Sequence, residues 1–171
     1  MDTEVLAVHC NYLTIMEVRA LRSWVKKLGP KDQVAVNIGA GAGTSALALL
    51  EGHSQLRVVS VDYDPLRLRD ERTAVYDAGF NGRLAQICND SADEGLSWTL
   101  PVDFVFIDGD HSYDHVKADV QAWLPHIREG GILCGHDYGW DKWAGVKQAF
   151  DEEMVEYKRI ALVDHLIGYF V

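Results

Sequence analysis

The sequence predicts an α/β fold: a single doubly wound domain whose sheet is mostly parallel, closed by an antiparallel strand pair at the C-terminal end. Three observations carry this. Short apolar runs rich in β-branched residues recur at 34–38, 56–62, 102–108 and 132–138, and each runs directly into glycines or ionisable groups. Continuous apolar runs of this kind mark strands buried on both faces, as in parallel sheets. Stretches with apolar residues at helical spacing separate them, the β-α alternation that winds a parallel sheet. Finally, residues 157–171 read as two strands turned about Asp164-His165, with no helix between them to restore the parallel direction.

The chain has 171 residues, enough for one domain with a substantial core. We expect one unit over 1–171, with an N-terminal helical segment at 1–30 and the α/β core at 34–171. Net charge is −10 with no basic cluster, so phosphate-rich nucleic acid is not expected as a partner. No apolar run is long enough to span a bilayer, so no membrane partner is expected. The opening residues carry acids rather than a cationic leader. Cys10, Cys88 and Cys134 are odd in number and far apart, which suits a reducing compartment. The expected location is cytoplasmic.

Residues 1–13 show no clear pattern. Thr14-x-x-Glu17 reads as a capping box. Ile15, Val18, Leu21, Val25 and Leu28 then recur at helical spacing until Gly29-Pro30 stops the helix, and Trp24 reads as packing. The strand at 34–38 breaks into Gly39, Gly41 and Gly43, and 46–50 resumes as a helix. Glycines serve where a turn needs unusual φ values and where a ligand approaches bare backbone. The free amides that open the next helix favour a carboxylate or another anion. A tight turn without a ligand is the competing reading.

The strand at 56–62 ends in Asp62, on the crevice at the carboxyl ends of the strands. A carboxylate there can accept both hydroxyls of a ribose. Its alternative use as a helix cap is better filled by Asp64-Pro65, ahead of a helix at 65–78 closed by Gly79. A strand at 83–88 leads to Asn89-Asp90-Ser91, then a polar loop or short helix at 91–100 in which Trp98 reads as core. The strand at 102–108 ends in Asp108, followed by Gly109, Asp110 and His111. A helix is expected over 112–128, with Val116, Val120, Trp123, Leu124 and Ile127 on its apolar side and Pro125 bending its last turn. Gly130-Gly131 restarts the chain into a strand ending at His136-Asp137-Tyr138, and 141–155 reads as a helix.

Asp108 and His136-Asp137 thus end strands that should be adjacent, roughly 4.8 Å apart. Oxygen and nitrogen donors so placed suit a divalent cation; the carboxylates favour Mg²⁺ or Mn²⁺, and His136 tilts toward Mn²⁺ or Zn²⁺. A polar rim without metal is the alternative. His111 can take a proton near neutral pH, or it can cap the helix that follows. Asp110 and His115 are secondary candidates, while His9, His53, His126 and His165 read as surface or structural.

The glycine spacing, Gly39-x-Gly41-x-Gly43, resembles motif I of class I S-adenosylmethionine-dependent methyltransferases, with Asn37 where that family usually has an acid. Phe106-Ile-Asp-Gly-Asp-His-Ser-Tyr113 and Gly130-Gly-Ile-Leu-Cys-Gly-His-Asp-Tyr138 resemble the small family containing the macrocin and mycinamicin sugar O-methyltransferases, and more distantly the catechol O-methyltransferases. The likeness covers about residues 34–150. It implies a Rossmann-like methyltransferase domain whose first, fourth and fifth strands are central neighbours. It also implies that S-adenosylmethionine is contacted by Asn37, Gly39, Ala40, Gly41, Gly43 and Thr44 on the loop. Further contacts would come from Asp62, Tyr63, Asp90, Ser91 and Asp108 at the other strand ends, with Asp90 on the adenine amine; an Asx turn competes for Asp90. Asp108 and Asp137 match metal-ligand positions, His136 stands where those enzymes more often place an acid, and His111 matches the general base.

The expected activity is methyl transfer to a hydroxyl of a small molecule or sugar, assisted by Mg²⁺ or Mn²⁺, with Asp108 and His111 at the catalytic centre. A non-catalytic cofactor-binding domain working with a partner is one rival. An N-methyltransferase is another, although base-directed ones usually carry an Asn/Asp-Pro-Pro-aromatic motif where this chain has Asp-Gly-Asp-His. A nicotinamide-dependent reductase is disfavoured by the glycine spacing and by the lack of Tyr-x-x-x-Lys. With no substrate lid of its own and apolar terminal strands, the chain could form a homodimer.

Overall fold

The computed structural model describes residues 3–10, 12–30 and 33–171. Met1, Asp2 and Asn11, in the expected helical segment 1–30, and Lys31 and Asp32 after it, lie outside the described residues. Residues 1–13, without a pattern in sequence, contribute helix α1 (Thr3–Cys10). The capping box forms at α2 (Ile15–Val25): Glu17 N donates to Thr14 Oγ1 at 3.1 Å, and Thr14 N donates to Glu17 Oε2 at 2.8 Å.

Strict alternation then follows: β1 (Gln33–Ile38), α3 (Thr44–Gly52), β2 (Leu56–Asp62), α4 (Pro65–Asp77), β3 (Leu84–Cys88), α5 (Ser91–Ser97) and β4 (Val102–Ile107). After these come α6 (Tyr113–Trp123), β5 (Ile127–Gly135), α7 (Ala144–Glu153), β6 (Lys158–Val163) and β7 (Leu166–Phe170). The seven strands form one sheet in the order β3-β2-β1-β4-β5-β7-β6. β1 to β5 run parallel, and β7 lies antiparallel between β5 and β6. β1, β4 and β5 are therefore central neighbours, and the strand order reverses between β1 and β4. Ligand crevices in doubly wound sheets open at that reversal.

Successive side chains of a strand point to opposite faces, and the two cores divide accordingly. Ala35, Phe104 and Phe106 pack with Leu21, Leu47 and Val75 on one face. Val36, Ile38, Val105 and Ile107 pack with Val120, Trp123 and Phe150 on the other. Trp24 is core, closing on Gly168, and Trp98 leans on Trp123 with ring centroids 5.3 Å apart. Among the described residues no helix is long and apolar enough to cross a membrane.

Two boundaries differ from expectation. The helix expected over 112–128 ends at Trp123 and passes through a 3₁₀ turn at Leu124–His126. Pro125 has no N–H to continue the α-helical ladder, and its ring excludes the carbonyl four residues back. Ile127 is consequently the first residue of β5, and Gly130-Gly131 lies inside that strand, where the pairing with β4 slips between Val102 and Phe104. Of the apolar residues in 157–171, Leu166, Ile167 and Tyr169 are buried in this chain's own cores, while Leu162 on β6 is exposed.

Candidate active site

The carboxyl ends of β1 to β5 converge on a cavity of about 720 Å³. Gly39 makes the convergence possible. Its φ is +87°, and a Cβ there would fall 2.1 Å from the carbonyl oxygen of Asp108, so only glycine lets the end of β1 pass the end of β4. Ala40, Gly41 and Thr44 line the cavity. Thr44 opens α3, and its hydroxyl is buried without a hydrogen-bond partner. Asp62 braces the loop: Oδ2 accepts from Ala40 N and Oδ1 from Asp64 N, both at 2.8 Å. The cap of α4 is Asp64, which accepts from Leu66 N. Asp62 lines the cavity, and each of its oxygens has acceptor capacity beyond these bonds.

Two expected cofactor contacts, Asn37 and Gly43, do not line the cavity. Gly43 faces α4, where a Cβ would meet the Glu71 backbone at 3.1 Å, so it serves helix packing. Asn37 is fully buried behind the sheet, because strand alternation puts it on the α4 face. Its amide reaches Ser60 Oγ at 3.1 Å and Glu71 Oε1 at 3.2 Å. Burial pushes the Glu71 carboxyl up to about 7, against the hydrogen bonds of Ser60, Gln86 and Asn37.

Tyr63, just past the end of β2, is exposed at the rim, and at the β3 end Asp90 lines the cavity while capping α5 through Asp93 N at 3.0 Å. Ser91 donates to Asp119 Oδ1 at 2.6 Å. Asp119, absent from the sequence-based candidates, is buried on α6 against the cavity, and burial raises its pKa to about 6.

The ionisable cluster occupies the ends of β4 and β5. His111 Nε2 lies 2.7 Å from Asp137 Oδ2 and 3.6 Å from Asp108 Oδ1. Asp108 and Asp137 together push its pKa up to about 9. Ser112, not His111, caps α6. His136 Nδ1 lies 3.3 Å from Asp108 Oδ1 and 3.6 Å from Asp137 Oδ1, while Nε2 lies 3.2 Å from Glu17 Oε2. Burial disfavours charge on His136, but Asp108, Asp137 and Glu17 outweigh it and push its pKa up to about 12. Burial would raise the Asp137 carboxyl, yet His111 and His136 hold it well below the usual carboxylate range. Asp137 adopts a left-handed φ of +57°, which aspartate tolerates better than most residues.

Asp108, His111 and Asp137 bring one donor atom each within 4.8 Å of one another. The fold therefore makes His111 a potential ligand as well as a base. His136 presents Nδ1 to the same two acids. Asp137 Oδ1 is buried without a hydrogen-bond partner, a site chemically suited to a hard cation.

Aromatic residues complete the walls. Trp143 stacks on His111, Trp140 stacks on His165, and Tyr12 covers Gly41 while accepting a hydrogen bond from Arg67 at 2.7 Å. None of Tyr12, Arg67, Trp140 or Trp143 was singled out from sequence, since exposed aromatics and arginines carry no periodic signal.

A family model described as a methyltransferase domain matches residues 36–138, well over half of the chain. The chain belongs to this methyltransferase family. A provisionally named O-methyltransferase of Mycobacterium marinum is 32% identical over 149 residues, covering 84% of this chain and 64% of its own. The methyltransferase chain thus spans just under two thirds of that relative's length. Among solved structures, the Bacillus cereus O-methyltransferase in complex with SAH matches with a TM-score of 0.75 at 17% identity, over 99% of this chain and 89% of its own. TomG of Streptomyces achromogenes, an O-methyltransferase of tomaymycin synthesis solved with SAM, matches at 0.78 and 16%, over 100% and 91%. At those identities the likeness establishes the methyltransferase fold.

Proposed function

We propose that this domain transfers the methyl group of S-adenosylmethionine to a hydroxyl oxygen of a small molecule, with Mg²⁺ or Mn²⁺ held at Asp108, His136 and Asp137. The observation that carries the proposal is His111 Nε2 standing between Asp108 and Asp137 in the same cavity as the glycine loop. The provisional name of the curated relative supports oxygen as the acceptor.

The free Thr44 hydroxyl and the first amides of α3 fit a carboxylate, and Asp62 fits a ribose diol. When bound, S-adenosylmethionine supplies a methyl group on cationic sulfur, and a divalent cation supplies the Lewis acidity that lowers the pKa of the acceptor hydroxyl. The two histidines divide the remaining work by exposure. The His136 side chain is 10% exposed and tied to Glu17, which suits a ligand. That of His111 is 26% exposed and faces the cavity, which suits a base. His111 accepts the hydroxyl proton as the C–S bond gives way to the new C–O bond, leaving a neutral thioether product.

The test is S-adenosylhomocysteine release from a panel of hydroxyl compounds. Chelation should abolish turnover and Mn²⁺ restore it, with cofactor affinity nearly unchanged. His111→Ala should lower kcat by roughly 10²–10⁴. Turnover indifferent to chelator would remove the cation from the proposal. Normal S-adenosylhomocysteine binding without turnover on any hydroxyl compound would favour a cofactor-binding domain that works through a partner.

A further inference from the structure

Glu17 lies outside the family match at 36–138, yet it touches the reactive cluster. It stands in the first turn of α2 and is 1% exposed. A capping-box glutamate ordinarily needs only its own N-cap amide, at the surface. Here Oε2 accepts from Thr14 N at 2.8 Å and also lies 3.2 Å from His136 Nε2, while Oε1 accepts from His165 N at 2.9 Å. The carboxylate thus ties α2 both to the end of β5 and to the β6–β7 turn.

The other edge of the same imidazole faces Asp108 Oδ1 at 3.3 Å and Asp137 Oδ1 at 3.6 Å. Asp137 Oδ1 is the buried acceptor left without a hydrogen-bond partner. An imidazole whose Nε2–H is taken by a carboxylate has its ring orientation fixed and its other nitrogen made more basic, the arrangement that commonly backs a metal-ligating histidine. His136 Nδ1 thus lies beside one oxygen of each acid.

We propose that Glu17 is the positioning residue of the cation seat, holding His136 by Nε2–H so that Nδ1 is aimed between Asp108 and Asp137. The inference rests on the cation reading of this site and adds to it a carboxylate delivered by the N-terminal helices. Those helices therefore shape the reaction centre as well as cover the sheet.

The experiment uses Mn²⁺ alone as the probe, titrated by calorimetry and by electron paramagnetic resonance into the full chain without acceptor. Glu17→Ala should lose 10- to 100-fold in Mn²⁺ affinity, the usual effect of removing a carboxylate behind a ligating histidine. Glu17→Gln, whose amide oxygen can still accept from Nε2–H, should lose less. Thr14→Ala breaks the same capping box without touching His136 and should bind Mn²⁺ as the wild type does. S-adenosylhomocysteine affinity, unchanged in all three, reports an intact fold; if Glu17→Ala does not fold, the comparison of Glu17→Gln with Thr14→Ala decides. Both Glu17 variants binding Mn²⁺ like the wild type would overturn the inference while leaving the cation reading in place. So would an equal loss in Thr14→Ala, which would assign the effect to the helix cap. A wild type that binds no Mn²⁺ overturns the inference and the cation reading together.

Discussion

His111 and Trp143 lie face to face, with ring centroids 4.8 Å apart and planes 21° from parallel. The stack restricts the imidazole to an orientation in which Nε2 stays with the two acids. Replacing Trp143 by alanine should free that rotation. Aromatic stacking contributes roughly 0.5–1.5 kcal/mol, so kcat/KM should fall about 3- to 10-fold with S-adenosylhomocysteine affinity unchanged. Steady-state kinetics beside calorimetry would check this, and an equal loss in both would make Trp143 a cofactor contact.

The proton on His111 is held by Asp108 and Asp137, with a pKa of about 9. A free imidazole is therefore scarce at pH 7 in the cation-free protein. A cation sharing those carboxylates should lower the His111 pKa toward neutrality and raise the fraction of active base. Nuclear magnetic resonance titration of the His111 ring, with and without saturating Mg²⁺, should show the midpoint moving down. Identical midpoints would separate the histidine from the cation.

Asp62 and Asn37 stand at the ends of neighbouring strands and should behave differently. Asp62→Ala removes a charged acceptor on the cavity and should weaken S-adenosylhomocysteine binding by roughly 1.5–3 kcal/mol. Asn37→Ala removes the amide bonded to Ser60 and Glu71, with only a long 3.4 Å contact to the Gly39 carbonyl, and should lower the melting temperature, with affinity held within about twofold. The reverse pattern would return Asn37 to the cofactor.

Glu71 gives the fold a pH dependence of its own. Its carboxyl titrates near 7 in the folded chain against 4.5 unfolded, chiefly through burial. A raised carboxyl pKa means that the folded state binds this proton more tightly. The contribution is fully present below about pH 4.5 and is lost as pH rises through 7, an effect on the order of 3 kcal/mol. Urea midpoints measured from pH 4.5 to 8 should fall for the wild type and flatten in Glu71→Gln. An unchanged slope in the variant would place the titration elsewhere.

Strand ends were legible in the sequence because chemistry and periodicity coincide there. An apolar run that stops at Asp62, Asp108 or His136 announces both a strand and a crevice residue. The helix end at Trp123 is obscured because Leu124 and Ile127, on either side of Pro125, continue the apolar spacing, and only strand pairing with Val102 gives Ile127 another use. Spacing names the loop without saying which face each residue takes, so it gives no sign that Asn37 and Gly43 lie against α4. The buried acids carry a signal in the sequence. Glu17 beside Val18 and Leu21, Glu71 between Leu68 and Val75, and Asp119 beside Val116 and Val120 each occupy an apolar stripe of their helix. A carboxylate costs too much there unless it is paired or neutral.

The contact of Gly39 with the Asp108 carbonyl has a consequence for how such a domain can change over generations. With a Cβ on residue 39 falling 2.1 Å from the Asp108 carbonyl oxygen, the loop of β1 and the acid of β4 cannot be re-aimed separately. A lineage altering its acceptor must leave that junction alone and vary the walls, at Tyr12, Trp140 and Trp143. Divergence should therefore concentrate in the segments before β1 and after β5, around a centre that inherits its geometry whole.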